Sequence, residues 1–282
     1  MSEDNINYTS ILPLRVVRSE DVVPHESIDP YRVDRLKNRL VEASTLKNPP
    51  IVTQLDDGRY MVLDGATRTS ALKALDLPHM IVQVSSEEQG LRLHTWYHLV
   101  KDIHPDELLE IVADVPNCTL KSSSVERADE DMFEYGAICY IHLTDGRVFL
   151  VGVPMGHNRL SVMNELTEAY IKVPASNVER TLEKNLAQLK ADIPNTSALV
   201  VFPEFTVNQV MGFTQSGRYL PAGITRFLIN GRILRLNAPL DLLRNLDMSL
   251  QEKNDELHSI LSEKLQNSEM RFYDESVYLL DE

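Results

Sequence analysis

The segment Met61-Val62-Leu63-Asp64-Gly65-Ala66-Thr67-Arg68-Thr69-Ser70-Ala71-Leu72 concentrates residue types that handle phosphate. An apolar run leads into a small-residue turn and then into a helical pattern. Backbone N–H groups at a helix start, with the helix dipole behind them, attract anions. Gly65 and Ala66 let a ligand approach the backbone, Thr67 and Thr69 add hydroxyls, and Arg68 adds a forked cation. Asp64, at the strand end, is a candidate ligand for Mg²⁺ or for a substrate hydroxyl. The same residues also describe a well-capped helix after a turn, with Arg68 in a surface ion pair. Residue types alone do not decide between the two.

Three further groups can carry chemistry. His25-Glu26 places a carboxylate in a polar loop, where such a group is usually a solvated surface residue. Thr95-Trp96-Tyr97-His98 puts the only Trp of the chain beside a His on an expected helix, and a core tryptophan is the default reading. Pro221-Ala222-Gly223-Ile224-Thr225-Arg226-Phe227 is a loop entering a strand. Its Thr225 and Arg226 are suited to a small carboxylate, and equally to the ordinary alternation of a strand. His104, His157 and His258 lack metal-ligand spacing. P-loop, Rossmann, nucleophile-elbow and H-E-x-x-H patterns are all missing.

The elements that must position these groups follow from periodicity and turn residues. A strand is expected within 11–23, then a helix after the Asp29-Pro30 start that carries Val33, Leu36, Leu40 and Ala43 on one face and stops at Asn48-Pro49-Pro50. Ile51–Leu55 and Arg59–Leu63 flank the turn Asp56-Asp57-Gly58, and Met80–Val84 forms another strand. The first 84 residues thus read β-α-β-β-α-β. From Glu87 to about Val112 the chain reads as helical, and Asn117–Asp131 as a loop. A hairpin is expected over Ala137–Val153, helices over 160–171 and 176–191, and a buried strand at Leu199–Phe202. A third hairpin is expected over Ile224–Leu236 with Asn230-Gly231 at its turn, followed by a short helix from Pro239 and an amphipathic helix marked by Leu257, Leu261 and Leu265.

Composition bounds the rest. The chain has 282 residues, 43% hydrophobic and 25% charged, enough for about two packed domains. Cys118 and Cys139 are too few for a disulfide framework or a cysteine zinc site, and suit a reducing, cytoplasmic setting. No secretory signal or membrane-spanning apolar run is present in the sequence. The net charge of −14 is concentrated in 101–135 and 247–282, each with ten acidic residues against three basic ones. Such a chain repels phosphate backbones, so nucleic acid is not an expected partner, while the neutral remainder still admits a local anion site.

The motifs together carry a resemblance. Asp64-Gly65-Ala66-Thr67-Arg68, preceded by His25-Glu26 and Asn48-Pro49-Pro50, resembles the ParB/sulfiredoxin fold. With Gly58–Gly65, Thr95–His98, Pro221–Phe227 and Val277-Tyr278-Leu279 in order, the chain is similar to the free L-serine kinases of that fold, most closely those of siderophore biosynthesis. The resemblance covers almost the whole chain and is weakest over 101–195. It implies an α+β protein with a ParB/sulfiredoxin-like nucleotide-binding domain over 1–100. A mixed α/β lobe over 101–282 contributes to the serine pocket, with the active site in the cleft between them.

It also implies phosphoryl transfer from ATP or ADP, with Mg²⁺, to L-serine, giving O-phospho-L-serine. The nucleotide phosphates fall on Gly65, Ala66, Thr67, Arg68 and Thr69, the catalytic base on Glu26, and serine-binding positions on Trp96 and Thr225. Asp64 joins Glu26 as a catalytic candidate and metal ligand, and Arg226 is added for the serine carboxylate on chemical grounds. A homodimer is left open. Thr67 stands where the family usually has His, so a hydroxyl replaces a titratable ring there. Sulfiredoxin chemistry is excluded because Ala66 takes the place of its cysteine. The alternative is a non-catalytic ParB-like regulator binding nucleotide or DNA.

Overall fold

The computed structural model describes residues 12–28, 30–174 and 176–272. Asp29 and the Val277-Tyr278-Leu279 motif lie outside the described residues. The chain divides into two units, Met1–Arg92 with Phe227–Glu282, and Leu93–Arg226. The boundary expected after residue 100 therefore falls inside the second unit, within a strand, and the chain's last section returns to the first unit. The reason is packing, since residues far apart in sequence share one apolar core.

The first unit opens with β1 (Leu14–Arg18), β2 (Val22–Val23), α1 (Pro30–Ala43), β3 (Thr45–Leu46), β4 (Ile51–Gln54), β5 (Tyr60–Asp64), α2 (Ala66–Lys73) and β6 (His79–Val84). This is the expected β-α-β-β-α-β order with two short strands added. The sheet order is β1-β6-β4-β5-β2. β1 runs antiparallel to β6, with Val16 opposite Ile81, and β4 runs antiparallel to β5, with Val52 opposite Val62. Leu40 of α1 and Ala71 and Leu72 of α2 pack against the sheet, as do Val33 and Leu36, whereas Ala43 of the expected face is exposed.

β7 (Arg92–Thr95) leads into the second unit, which holds β8 (Tyr97–Lys101), α3 (Pro105–Ala113), β9 (Thr119–Ser123), α4 (Ala128–Glu134), β10 (Cys139–Leu143) and β11 (Val148–Gly152). It continues with α5 (Arg159–Ile171), β12 (Asn177–Thr181), α6 (Leu186–Asp192), β13 (Thr196–Val201) and α7 (Val207–Gln215), and β14 (Thr225–Leu228) leads back into the first unit. Its six strands run β12-β8-β13-β10-β11-β9, every neighbouring pair antiparallel. Four expectations are corrected here. Residues 92–101 are strands, because Tyr97–Val100 are all buried and show no polar face to betray a strand period. Asn117–Asp131 holds β9 and the start of α4, and 177–181 is a strand pairing with β8. Thr225–Leu228 pairs with Arg92–Thr95, so the expected 224–236 hairpin does not form despite its Asn-Gly turn.

The last section adds β15 (Ala238–Pro239), which pairs with β3, then α8 (Leu240–Arg244) and α9 (Leu250–Gln266). Leu236, Ala238, Leu240, Leu243, Leu257 and Leu261 join the core of the first unit. Each fully buried Leu contributes about 1.5–3 kcal/mol, so this section is integral to that core. Polar groups fix its register. Asn254 clamps the backbone of Val16 in both directions, accepting its N–H at 2.9 Å and donating to its carbonyl at 3.0 Å. Lys253, fully buried, donates to the Leu243 carbonyl at 2.9 Å and reaches Nδ1 of His79 at 3.1 Å.

Candidate active site

The strand–turn–helix element forms as the residues require. β5 ends at Asp64, and Gly65 takes φ +88°, a left-handed conformation natural to glycine, before α2 begins. A side chain at Gly65 would also meet Arg68 Nη1 at 3.0 Å. No side chain caps α2. The first intrahelical bond runs from Thr69 N–H to the Gly65 carbonyl at 2.8 Å, so the amides of Ala66 and Thr67 lie ahead of it. The well-capped-helix reading is thus set aside. Arg68, half-buried, donates from Nη1 to the Pro49 carbonyl at 3.0 Å. That bond uses the Pro49-Pro50 stop after α1 to hold the guanidinium beside the turn. Thr69 is buried, and its hydroxyl has no hydrogen-bond partner.

Asp64 is half-exposed and pairs with Arg232, Oδ2 to Nη1 at 2.9 Å. Sequence reasoning missed Arg232, which lies 168 positions away and belongs to no motif.

His25 ties the His25-Glu26 loop to β5. Its Nδ1 donates to the Val62 carbonyl at 2.5 Å, two residues short of Asp64. The ring meets Phe227 edge-on, with centroids 5.2 Å apart. Burial lowers the His25 pKa, opposed by the Glu26 carboxylate, whose Oε2 stands 4.0 Å from Nε2. Glu26 is mostly shielded, 23% exposed at its side chain, so it is not the fully solvated surface group that a lone loop carboxylate usually is.

In the second unit the structure brings Trp96, Thr225 and Arg226 together. Trp96 N–H donates to the Ile224 carbonyl at 2.9 Å, and the Arg226 guanidinium lies 4.6 Å from the Trp96 ring centre. Trp96 is half-buried rather than core, and it extends from strand rather than helix. The loop before Thr225 is held from behind. His98, buried, approaches the Gly223 carbonyl with Nε2 at 3.4 Å and the Tyr170 hydroxyl with Nδ1 at 2.6 Å. A carbonyl only accepts, so Nε2 carries the proton and Nδ1 accepts from Tyr170. Burial pushes the His98 pKa down to about 4, and the ring is neutral. A pocket of about 600 Å³ in this unit, lined by His157, Arg159, Phe205, Phe213 and Arg218 among others, includes none of the expected site residues.

Among the described residues no cluster of three or more His, Cys, Asp or Glu is placed to hold a metal. A Mg²⁺ ion that arrives with phosphate needs only one or two carboxylates from the protein, and Asp64 fits that role.

No family model matches the chain. Its fold is similar to that of a free serine kinase in complex with AMP, which superimposes with a TM-score of 0.69 over 82% of this chain and 93% of that one. Identity there is 14%, so the likeness is one of fold. In sequence the chain is a relative of the ATP-dependent L-serine kinase SbnI of Staphylococcus aureus (strain NCTC 8325 / PS 47), 29% identical over 269 residues, covering 95% of this chain and 97% of SbnI. A C-terminally truncated SbnI from Staphylococcus aureus matches with a TM-score of 0.70 at 25% identity, over 89% of this chain and 97% of that one. The resemblance read from the motifs is borne out.

Proposed function

We propose that this chain is a free L-serine kinase that transfers a phosphoryl group from ATP or ADP to the serine hydroxyl, giving O-phospho-L-serine. The observation that carries the reading is the end-to-end relationship to SbnI, an ATP-dependent L-serine kinase. The turn at Asp64–Thr69 supports it, with uncapped helix amides, a fixed arginine and a carboxylate side by side. Siderophore precursor supply is the proposed setting, in the cytoplasm. Among the described residues no helix is long and apolar enough to cross a membrane.

In this reading the first unit handles the nucleotide. The amides of Ala66 and Thr67, the Thr67 hydroxyl and Arg68 receive phosphate oxygens; Asp64 is the residue that would hold a Mg²⁺ ion, which would supply neutralisation of phosphate charge. Thr69 contributes from beneath the turn. Glu26 takes the proton from the serine hydroxyl as that oxygen bonds phosphorus and the bond to the leaving nucleotide breaks. Trp96, Thr225 and Arg226 of the second unit recognise serine, Arg226 through its carboxylate.

The test is a phosphorus NMR time course with L-serine, Mg²⁺ and either ATP or ADP. A phosphoserine resonance growing as one donor is consumed is the expected result. Nucleotide binding without phosphoserine from either donor would favour the non-catalytic regulator.

Arg68→Ala is expected to weaken nucleotide binding by about tenfold or more in calorimetry, the scale of a lost charge-assisted hydrogen bond. Unchanged affinity would remove the turn from the phosphate site.

A further inference from the structure

The cation on Asp64 comes from a part of the chain that carries no motif. Arg232 reaches Asp64 Oδ2 at 2.9 Å, with side chains 40% and 45% exposed. Its backbone is held firmly. Gln83, which is buried, donates from Nε2 to the Gly231 carbonyl at 2.9 Å and accepts the Ile233 N–H on Oε1 at 2.9 Å. A single amide thus grips the residues on both sides of Arg232. Further on, Arg235 N–H donates to Asn48 Oδ1 at 2.8 Å and Asn237 N–H to the Lys47 carbonyl at 3.3 Å. The segment is laid along the N-terminal sheet with the Arg232 head group left at the surface, against the residue that opens the phosphate turn.

The strength of the pair matters here. An ion pair this exposed is weak, because water solvates both partners well. A polyphosphate offers more charge and paired oxygens that match the guanidinium fork. Exchanging Asp64 for phosphate is therefore favourable for Arg232, and the exchange leaves the Asp64 carboxylate for the cation that accompanies the nucleotide.

We propose that Arg232 is a phosphate-binding residue of the nucleotide site, paired with Asp64 when no nucleotide is present and transferred to the polyphosphate when it binds. The proposal rests on the kinase reading and adds to it a residue supplied by the returning C-terminal section.

Calorimetric titration of the full chain with ATP, ADP and adenosine, for the wild type, Arg232→Gln and Arg232→Lys, tests it. Arg232→Gln is expected to bind ATP and ADP roughly ten- to a hundredfold more weakly, with adenosine affinity unchanged, since only the phosphate contact is lost. Arg232→Lys recovers part of the loss by keeping the charge without the fork. If wild type makes phosphoserine while Arg232→Gln binds ATP as tightly as wild type, the Arg232 assignment is wrong and the kinase reading stands. An equal loss for adenosine would also overturn it, by showing a general structural role. If wild type binds neither ATP nor ADP, the kinase reading fails and the assignment fails with it.

Discussion

Glu26→Gln is expected to lower the turnover number by about 10²–10⁴-fold, the usual contribution of a positioned general base, while nucleotide affinity stays close to wild type. Glutamine keeps the size and one carbonyl oxygen of the side chain but cannot take a proton at neutral pH. His25 anchors the same loop through Val62 and Phe227, contacts that the substitution leaves in place. Steady-state kinetics paired with calorimetry separates the two quantities. An unchanged turnover number would remove Glu26 from the mechanism, and a collapse of nucleotide affinity would make it a binding residue instead.

Acid should destabilise this protein through its buried histidines. His98 has its pKa held down to about 4 by burial, against an ordinary value of 6.5. In the unfolded chain the ring takes a proton first as pH falls, so stability is fully present above about pH 6.5 and declines down to about pH 4. The lost stability amounts to about 3 kcal/mol by pH 4 from this residue alone. His25 and His79 are shifted in the same direction, each mainly by burial, and add to the slope. Denaturant unfolding at pH 7 and pH 5 should show the loss. His98→Phe should be weaker at pH 7, since Tyr170 and Gly223 lose a partner, yet depend less on pH. Identical slopes in the two proteins would exclude His98 as a titrating group.

Local patterns made much of the first unit legible. Pro and Gly mark its turns, α1 keeps a helical period, and the Asp64-Gly65 junction announces a strand running into a helix. In the second unit the β10–β11 hairpin and the buried strand β13 were legible, whereas β8 was hidden because Tyr97–Val100 are buried at every position, which erases the alternation that identifies a strand. The Asn230-Gly231 signal was overridden by tertiary pairing, since Thr225–Leu228 found a partner in Arg92–Thr95. Gly231 instead offers its carbonyl to Gln83. Glu26, Trp96 and Arg226 were visible as residue types, but the contact of Trp96 with Arg226 joins segments 130 positions apart, and only the fold creates it. Arg232 carried no signal at all, because its significance is its distance from Asp64.

The clamp of Asn254 on Val16 has a consequence for synthesis. β1 is the outer strand of its sheet, and the outward-facing amide and carbonyl of Val16 are bonded by a residue of α9. During translation the β1 region leaves the ribosome well before α9, since Val16 and Asn254 are 238 positions apart. The nascent chain must therefore carry an open, apolar strand edge while more than 200 further residues are made, and such an edge is a template for pairing with other chains. Residues 93–226 can complete their own sheet in that interval. The sheet of the first unit is therefore completed only once α9 has been made, and the protection of its β1 edge arrives with that helix.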